Sequence, residues 1–99
     1  MKLYELAHSR TGDKGNISVI SLIPYRAQDY ALLKEKVTAQ RVKEHFSSLV
    51  RGEVTRYELP ELPAFNFVLE GALDGGVTRS LRVDMHGKTL GYALLEMEI

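Results

Sequence analysis

The fold of this chain is decided at residues 8–23, which read HSRTGDKGNISVISLI. The part up to Asn16 holds only polar, charged and glycine residues, and an apolar, mostly β-branched run follows it directly. That run, at 17–23, offers apolar side chains to both faces, which is typical of a central strand. Pro24 ends it, because proline has no N–H to donate to a neighbouring strand. We therefore expect a strand at 17–23. We expect a loop before it that carries more charged and polar groups than a simple connection between strands needs.

The chain has 99 residues, 44% of them hydrophobic, which suits one domain with a modest core and leaves no room for a second. Thirteen basic residues balance thirteen acidic ones, so the formal net charge is zero. Nucleic acid is not an expected partner, because phosphate binding needs an excess or a stripe of cations. Zero net charge also removes repulsion between copies, and we expect a homo-oligomer.

Several classes of site are excluded by residue types that the chain lacks. It has no cysteine, so disulfides, thiolate nucleophiles and cysteine-based zinc sites are impossible. No two histidines have the helical spacing of a zinc site, and we predict no metal and no cofactor. No segment reaches the ~18 consecutive apolar residues of a membrane span, and the start does not read as a signal peptide. We expect a cytoplasmic protein without membrane contact.

Hydrophobic spacing predicts further helices and strands on both sides of the central strand. The expected strands are 2–8, 17–23, 54–59, 80–84 and 90–99, and the expected helices are 26–37, one capped by Thr38, and one from Pro63 to Leu73. The run 65–69 also fits a strand, and a turn at 84–87 joins the last two strands into a hairpin. The order β-β-α-α-β-α-β-β gives an α+β sandwich with helices on one face of a largely antiparallel sheet.

The polar residues ahead of the central strand form the first candidate site. Arg10, Lys14 and the backbone amides of Gly12 and Gly15 are suited to hold a phosphate or carboxylate. The same residues also suit a purely structural turn, in which Asp13 pairs with Arg10 or Lys14. Asn16 completes this stretch.

A second candidate site lies at 75–80. Gly75 and Gly76 allow a ligand to approach the backbone closely, and Arg79, next to Ser80, supplies a forked donor for a carboxylate or phosphate. The alternative is a helix end with a solvated arginine.

Two further polar residues are candidates beside these sites. His8 adjoins the first site and can act as an acid or base near neutral pH, although a half-buried strand histidine would look the same. Asn66 lies in an otherwise apolar segment, where an internal amide needs a partner. We expect it to brace the first site, with a capping role as the alternative.

These stretches resemble the AtuA-like (acyclic terpene utilisation) ferredoxin-fold domain family, first at 8–16 and again at 66–82 and 86–88. The resemblance covers almost all of residues 1–99 and implies a single ferredoxin-like two-layer domain, in the short form that stands apart from a large region. It also implies a setting in the breakdown of acyl-CoA, terpenoid or branched-chain acids. The positions that match the family motifs are His8, Arg10, Gly12, Asp13, Lys14, Gly15, Asn16, Asn66, Gly75, Gly76, Arg79 and Ser80.

Two functions are compatible with these features. The first is an accessory subunit that docks on a separately encoded AtuA-type large subunit and presents the 10–16 loop to a shared site. The second is an independent enzyme or binding protein for a CoA thioester or small carboxylate. Arg10, Lys14 and Arg79 would then hold the anion, while His8 or Asp13 moves a proton. A dimer that extends its sheet through the C-terminal strand is compatible with either.

Overall fold

The computed structural model describes residues 1–14, 17–47, 50, 52–71 and 88–99, and for residues 13, 14, 88 and 89 it describes the backbone alone. Short 3-10 turns lie at Leu3–Glu5 and Ala27–Asp29. The strands are β1 (Ala7–Lys14), β2 (Ile17–Pro24), β3 (Val54–Leu59) and β4 (Ala64–Glu70), and the helices are α1 (Tyr30–Lys36), α2 (Ala39–His45) and α3 (Lys88–Leu95). None of these helices has the length and apolar content needed to cross a lipid bilayer.

The four described strands form one antiparallel sheet in the order β1-β2-β4-β3. Lys14 pairs with Ile17, so β1 and β2 are adjacent in sequence and in space. β3 and β4 form a second hairpin, in which Leu59 pairs with Ala64. The strand expected at 17–23 therefore is central, with a neighbour on each side.

The core lies between the helices and one face of this sheet. Along β2 the side chains of Ser18, Ile20, Leu22 and Pro24 are buried, and the alternate positions are half-buried or exposed. Successive strand residues point to opposite faces, so β2 buries one apolar face and leaves the other without a covering layer of described helices. The buried cluster consists of Leu3, Ala7, Ile20, Leu22, Leu33, Val37, Val42, Phe46, Val50, Phe65, Phe67, Leu69, Leu90, Leu94 and Met97.

The helix α1 is fixed to the sheet by Arg56 of β3. The Arg56 guanidinium donates to the carbonyl oxygens of Lys34 at 2.7 Å and Val37 at 2.9 Å. It also lies 5.3 Å from the centroid of the Phe65 ring and 3.0 Å from Glu58 Oε2. Partial desolvation acts to raise the pKa of Glu58, but the hydrogen bond from Arg56 and the charge of Lys34 outweigh it, and the pKa lies below its ordinary value.

The fold class is confirmed as an antiparallel sheet with helices on one face, and so are the elements at 17–23, 26–37 and 54–59. The cap of α2 is confirmed as well, because Thr38 Oγ1 accepts a hydrogen bond from Arg41 N at 3.1 Å. The expected strand at 80–84 and the turn at 84–87 lie outside the described residues.

Two elements expected in the second half of the chain have the other type of secondary structure. The helix expected at 63–73 is wrong where it is described, because β4 buries Phe65, Phe67 and Leu69 at a spacing of two. The alternative of a strand at 65–69 is confirmed. The strand expected at 90–99 is also wrong, because α3 occupies its first half and buries Leu90 and Leu94, four residues apart on one helix face. After α3, Glu98 forms an isolated antiparallel bridge with Lys2, and a dimer contact through this end of the chain stays a prediction.

The start of the chain differs from expectation in a way that matters for the site. Residues 3–5 form a 3-10 turn, and the strand begins at Ala7 and runs to Lys14. The stretch expected to be a loop is therefore mostly a strand. Its polar composition indicated a loop, but pairing with β2 at every position from Ala7 to Lys14 fixes the extended backbone.

Candidate functional site

The first sequence motif lies on β1, and its residues alternate between the two faces of the sheet. Arg10 pairs with Ser21, and Ile20 beside Ser21 points into the core. Paired residues share a face, so Arg10 lies on the face opposite the helices, together with His8 and Gly12. We call this the open sheet face.

Ser9 and Thr11 belong to the other face, where they adjoin α3 at Gly91. A Cβ atom added to Gly91 would lie 2.8 Å from Ser9 Oγ and would also overlap Thr11 Oγ1. Only a glycine lets the helix approach the strand this closely. Ser9 and Thr11 therefore have a packing role that was not predicted. The feature of the sequence that could have indicated it is their alternation with His8, Arg10 and Gly12.

A row of polar side chains crosses the open sheet face, with one residue from each strand. Arg10 pairs with Ser21, Ser21 with Asn66, and Asn66 with Tyr57. Ser21 Oγ donates to Asn66 Oδ1 at 2.8 Å. The structure thus brings Asn66 and Arg10 into one row, with Ser21 between them. Ser21 was not among the predicted site residues, although it interrupts an apolar run.

This polar row borders an open depression of about 620 Å³. Within the described ranges, the guanidinium of Arg10 has neither a hydrogen bond nor an ion pair. The depression combines one cation and two neutral polar groups with an apolar floor and wall. Its lining consists of Arg10, Ser21, Ile23, Leu59, Leu62, Ala64 and Asn66.

His8 lies two residues from Arg10 along β1, in the next row of the open sheet face, and contacts an aromatic ring. Its imidazole stacks on Tyr25, with 5.4 Å between the ring centroids and 25° between the planes. It is half-buried, and no described side chain donates to it or accepts from it. Its predicted part in proton transfer stays a prediction. In the described ranges no three His, Asp or Glu side chains lie close enough to hold a metal ion.

The remaining predicted site residues are described partly or lie outside the description. Asp13 and Lys14 are known by their backbone, which pairs with Ser18 and Ile17. The roles of these residues, and the meeting of the two motifs in space, stay predictions. Outside the described residues lie Gly15, Asn16, Gly75, Gly76, Arg79 and Ser80.

Comparison with known proteins places this arrangement in a family. No curated protein matches the chain, and no solved structure matches it. The family model of the AtuA ferredoxin-like domain matches residues 1–99, over the whole length of the sequence. The antiparallel sheet with helices on one face is the layout that such a domain requires. The chain therefore belongs to the AtuA ferredoxin-like domain family.

Proposed function

We propose that this domain is the accessory subunit of a separately encoded AtuA-type large chain. The pair would act in the breakdown of acyl-CoA, terpenoid or branched-chain acids, the setting that the family resemblance implies. The observation that carries the proposal is the open sheet face, which holds apolar side chains on both sides of the polar row and has no described helix packed on it.

The composition of the open sheet face favours burial against a protein. A solvated face of an antiparallel sheet normally carries polar residues that alternate with the core positions. Here the outward positions of β2 and β4 include four apolar residues beside the polar Ser21, Asn66 and Glu70, and the edge strand β3 adds Tyr57. The four apolar residues are Ile17, Val19, Ile23 and Val68. Ile17 is 42% exposed and Tyr57 is 55% exposed. Contiguous exposed apolar surface of this kind marks interaction sites.

The charges on this face limit what can cover it. Its described ionised side chains are Arg10, midway along the edge strand β1, and Glu70 at one end of β4. A partner surface that is apolar and carries no cation opposite Arg10 would match it. The opposite face of the sheet is already filled by α1, α2 and α3, so it has no room for a second layer. We infer that the large chain docks on the open sheet face.

The test is to co-express this chain with the AtuA-type large chain of the same genome and measure the dissociation constant of the purified complex. Ile17→Asp places a carboxylate in the proposed interface and should raise the dissociation constant at least about tenfold, which corresponds to ~1.4 kcal/mol. Leu32→Asp is the matched control, because Leu32 is 40% exposed and lies on α1. It should leave the dissociation constant within about twofold.

Two results would contradict the proposal. One is the absence of any complex at micromolar concentrations of both wild-type chains. The other is an equal loss of affinity for Ile17→Asp and Leu32→Asp, which would move the interface away from the open sheet face.

A further inference from the structure

The polar row and the depression beside it carry an inference that goes beyond the subunit role and does not depend on a bound large chain. The geometry points to a binding site for a small monocarboxylate with a short apolar chain. Arg10 and Asn66 would hold the carboxylate, and the floor beside them would hold the chain.

The donor groups that line the depression are those that a carboxylate needs. Ser21 Oγ donates to Asn66 Oδ1, so the carbonyl side of the Asn66 amide is occupied. The Asn66 nitrogen keeps two N–H donors with no partner in the described part of the chain. Arg10 adds a planar fork whose parallel N–H groups match the two oxygens of a carboxylate. Neighbouring strands are ~4.8 Å apart, which puts Arg10 and Asn66 on either side of Ser21.

The same lining disfavours a phosphate group in the place of the carboxylate. Arg10 is the one cation in the described lining, Ser21 and Asn66 are neutral, and the remaining wall is apolar. A phosphate dianion would have half of its charge unpaired against Ile23 and Leu59, and desolvation of unpaired charge is costly. A carboxylate has one charge, which one guanidinium balances. The site thus favours a free acid.

The apolar part of the ligand has a defined place. Ala64 pairs with Leu59 one row beyond Asn66, and its small side chain leaves space between Leu59 and Ile23. Leu62 of the β3–β4 turn is 70% exposed and forms the wall of this space. Positions two apart on a strand are separated by about 7 Å, so a chain of a few methylene groups reaches from the polar row over the apolar one.

The experiment is a titration of the full chain with sodium hexanoate, followed by the backbone amide resonances in two-dimensional NMR. We expect saturable shifts at Ser21, Asn66 and Leu62. Hexan-1-ol, which has the same chain without the charge, should bind at least about tenfold more weakly, since a charge-assisted bond is worth about 1.5–3 kcal/mol. Inorganic phosphate should not compete with hexanoate.

Matched variants separate the site from general surface charge. Arg10→Gln should weaken hexanoate binding at least about tenfold. Arg10 is exposed, so the variant should fold. Arg26→Gln removes the same charge from a residue outside the depression, where Arg26 lies 3.5 Å from Asp29, and should change the affinity by less than about twofold.

Each of the following results would overturn the inference. Hexanoate that produces no saturable shifts at about 50 mM would exclude the site, because small ligands of this size bind in the millimolar range. Equal affinities for hexanoate and hexan-1-ol would exclude carboxylate recognition, and competition by phosphate would exclude the ligand class. Unchanged binding by Arg10→Gln, or equal weakening by Arg26→Gln, would exclude the role of Arg10.

Discussion

The closeness of α3 to β1 at Gly91 gives a prediction whose sign depends on two opposed effects. In Gly91→Ala, the new methyl group would lie 2.8 Å from Ser9 Oγ and would overlap Thr11 Oγ1. Forcing an extra carbon into a packed contact costs about 1–3 kcal/mol. Replacing a helical glycine by alanine gains about 0.8–1 kcal/mol in helix propensity. The contact is the larger effect, and we expect a net destabilisation of about 1 kcal/mol, or about 4–8 °C in the melting temperature.

Thermal and urea unfolding followed by circular dichroism would measure this difference. Gly12→Ala is the matched control, because a Cβ at Gly12 meets no atom within 4 Å, and removing a strand glycine should stabilise by about 0.5–1 kcal/mol. In a Thr11→Ala background the overlap at Gly91 is partly relieved, so Gly91→Ala should cost less there. If Gly91→Ala raised the melting temperature of the wild-type chain, the close packing of α3 on the motif would be refuted.

Three further predictions concern the rest of the fold. Gly52→Ala should destabilise by about 1–3 kcal/mol in urea unfolding, because its Cβ would lie 2.6 Å from the backbone oxygen of Glu70; a neutral result would contradict this. Arg56→Met should cost about 2–3 kcal/mol through two lost carbonyl contacts, whereas Arg26→Met should cost less than about 0.5 kcal/mol. The lowered pKa of Glu58 adds stability above the unfolded value of 4.5, and that contribution is lost as the pH falls through the lower folded value. Glu58→Gln should therefore flatten the acid side of a melting-temperature profile, and an unchanged slope would contradict it.

The elements that the sequence predicted correctly are those where one hydrophobic period dominates. Residues 17–23 are too β-branched and too short for a buried helix, and Thr38 is a plain cap in front of α2. The segment at 64–70 was ambiguous, because its apolar residues satisfy periods of both two and 3.6. Its pairing with β2 and β3 resolves the ambiguity, and the pairing with β2 joins residues more than 40 positions apart. The hydrophobic spacing within one segment does not report contacts with residues so distant in the sequence.

The charged part of the site could be predicted from the sequence, and the part that depends on strand pairing could not. Arg10 was identified because a cation beside glycines is unusual in a simple connection. Ser21 was missed because a serine inside an apolar strand looks neutral until its cross-strand neighbour is known. Its neighbour Asn66 was expected to brace the first motif from a helix, with a capping role as the alternative, and it lies instead on β4, directly opposite Ser21.

The alternation along β1 has a consequence for how this motif tolerates change in length. A shift of one residue in the pairing of β1 with β2 would turn every side chain of β1 to the opposite face. Arg10 would then meet Gly91, where not even a methyl group fits, and Thr11 would take its place on the open sheet face. Deleting or inserting one residue within 8–14 would thus abolish the helix contact and the polar row together. An insertion in the turn at 60–63, beyond the last pair of Leu59 and Ala64, would instead leave the described strand pairings in register and would move Leu62 in the wall of the depression.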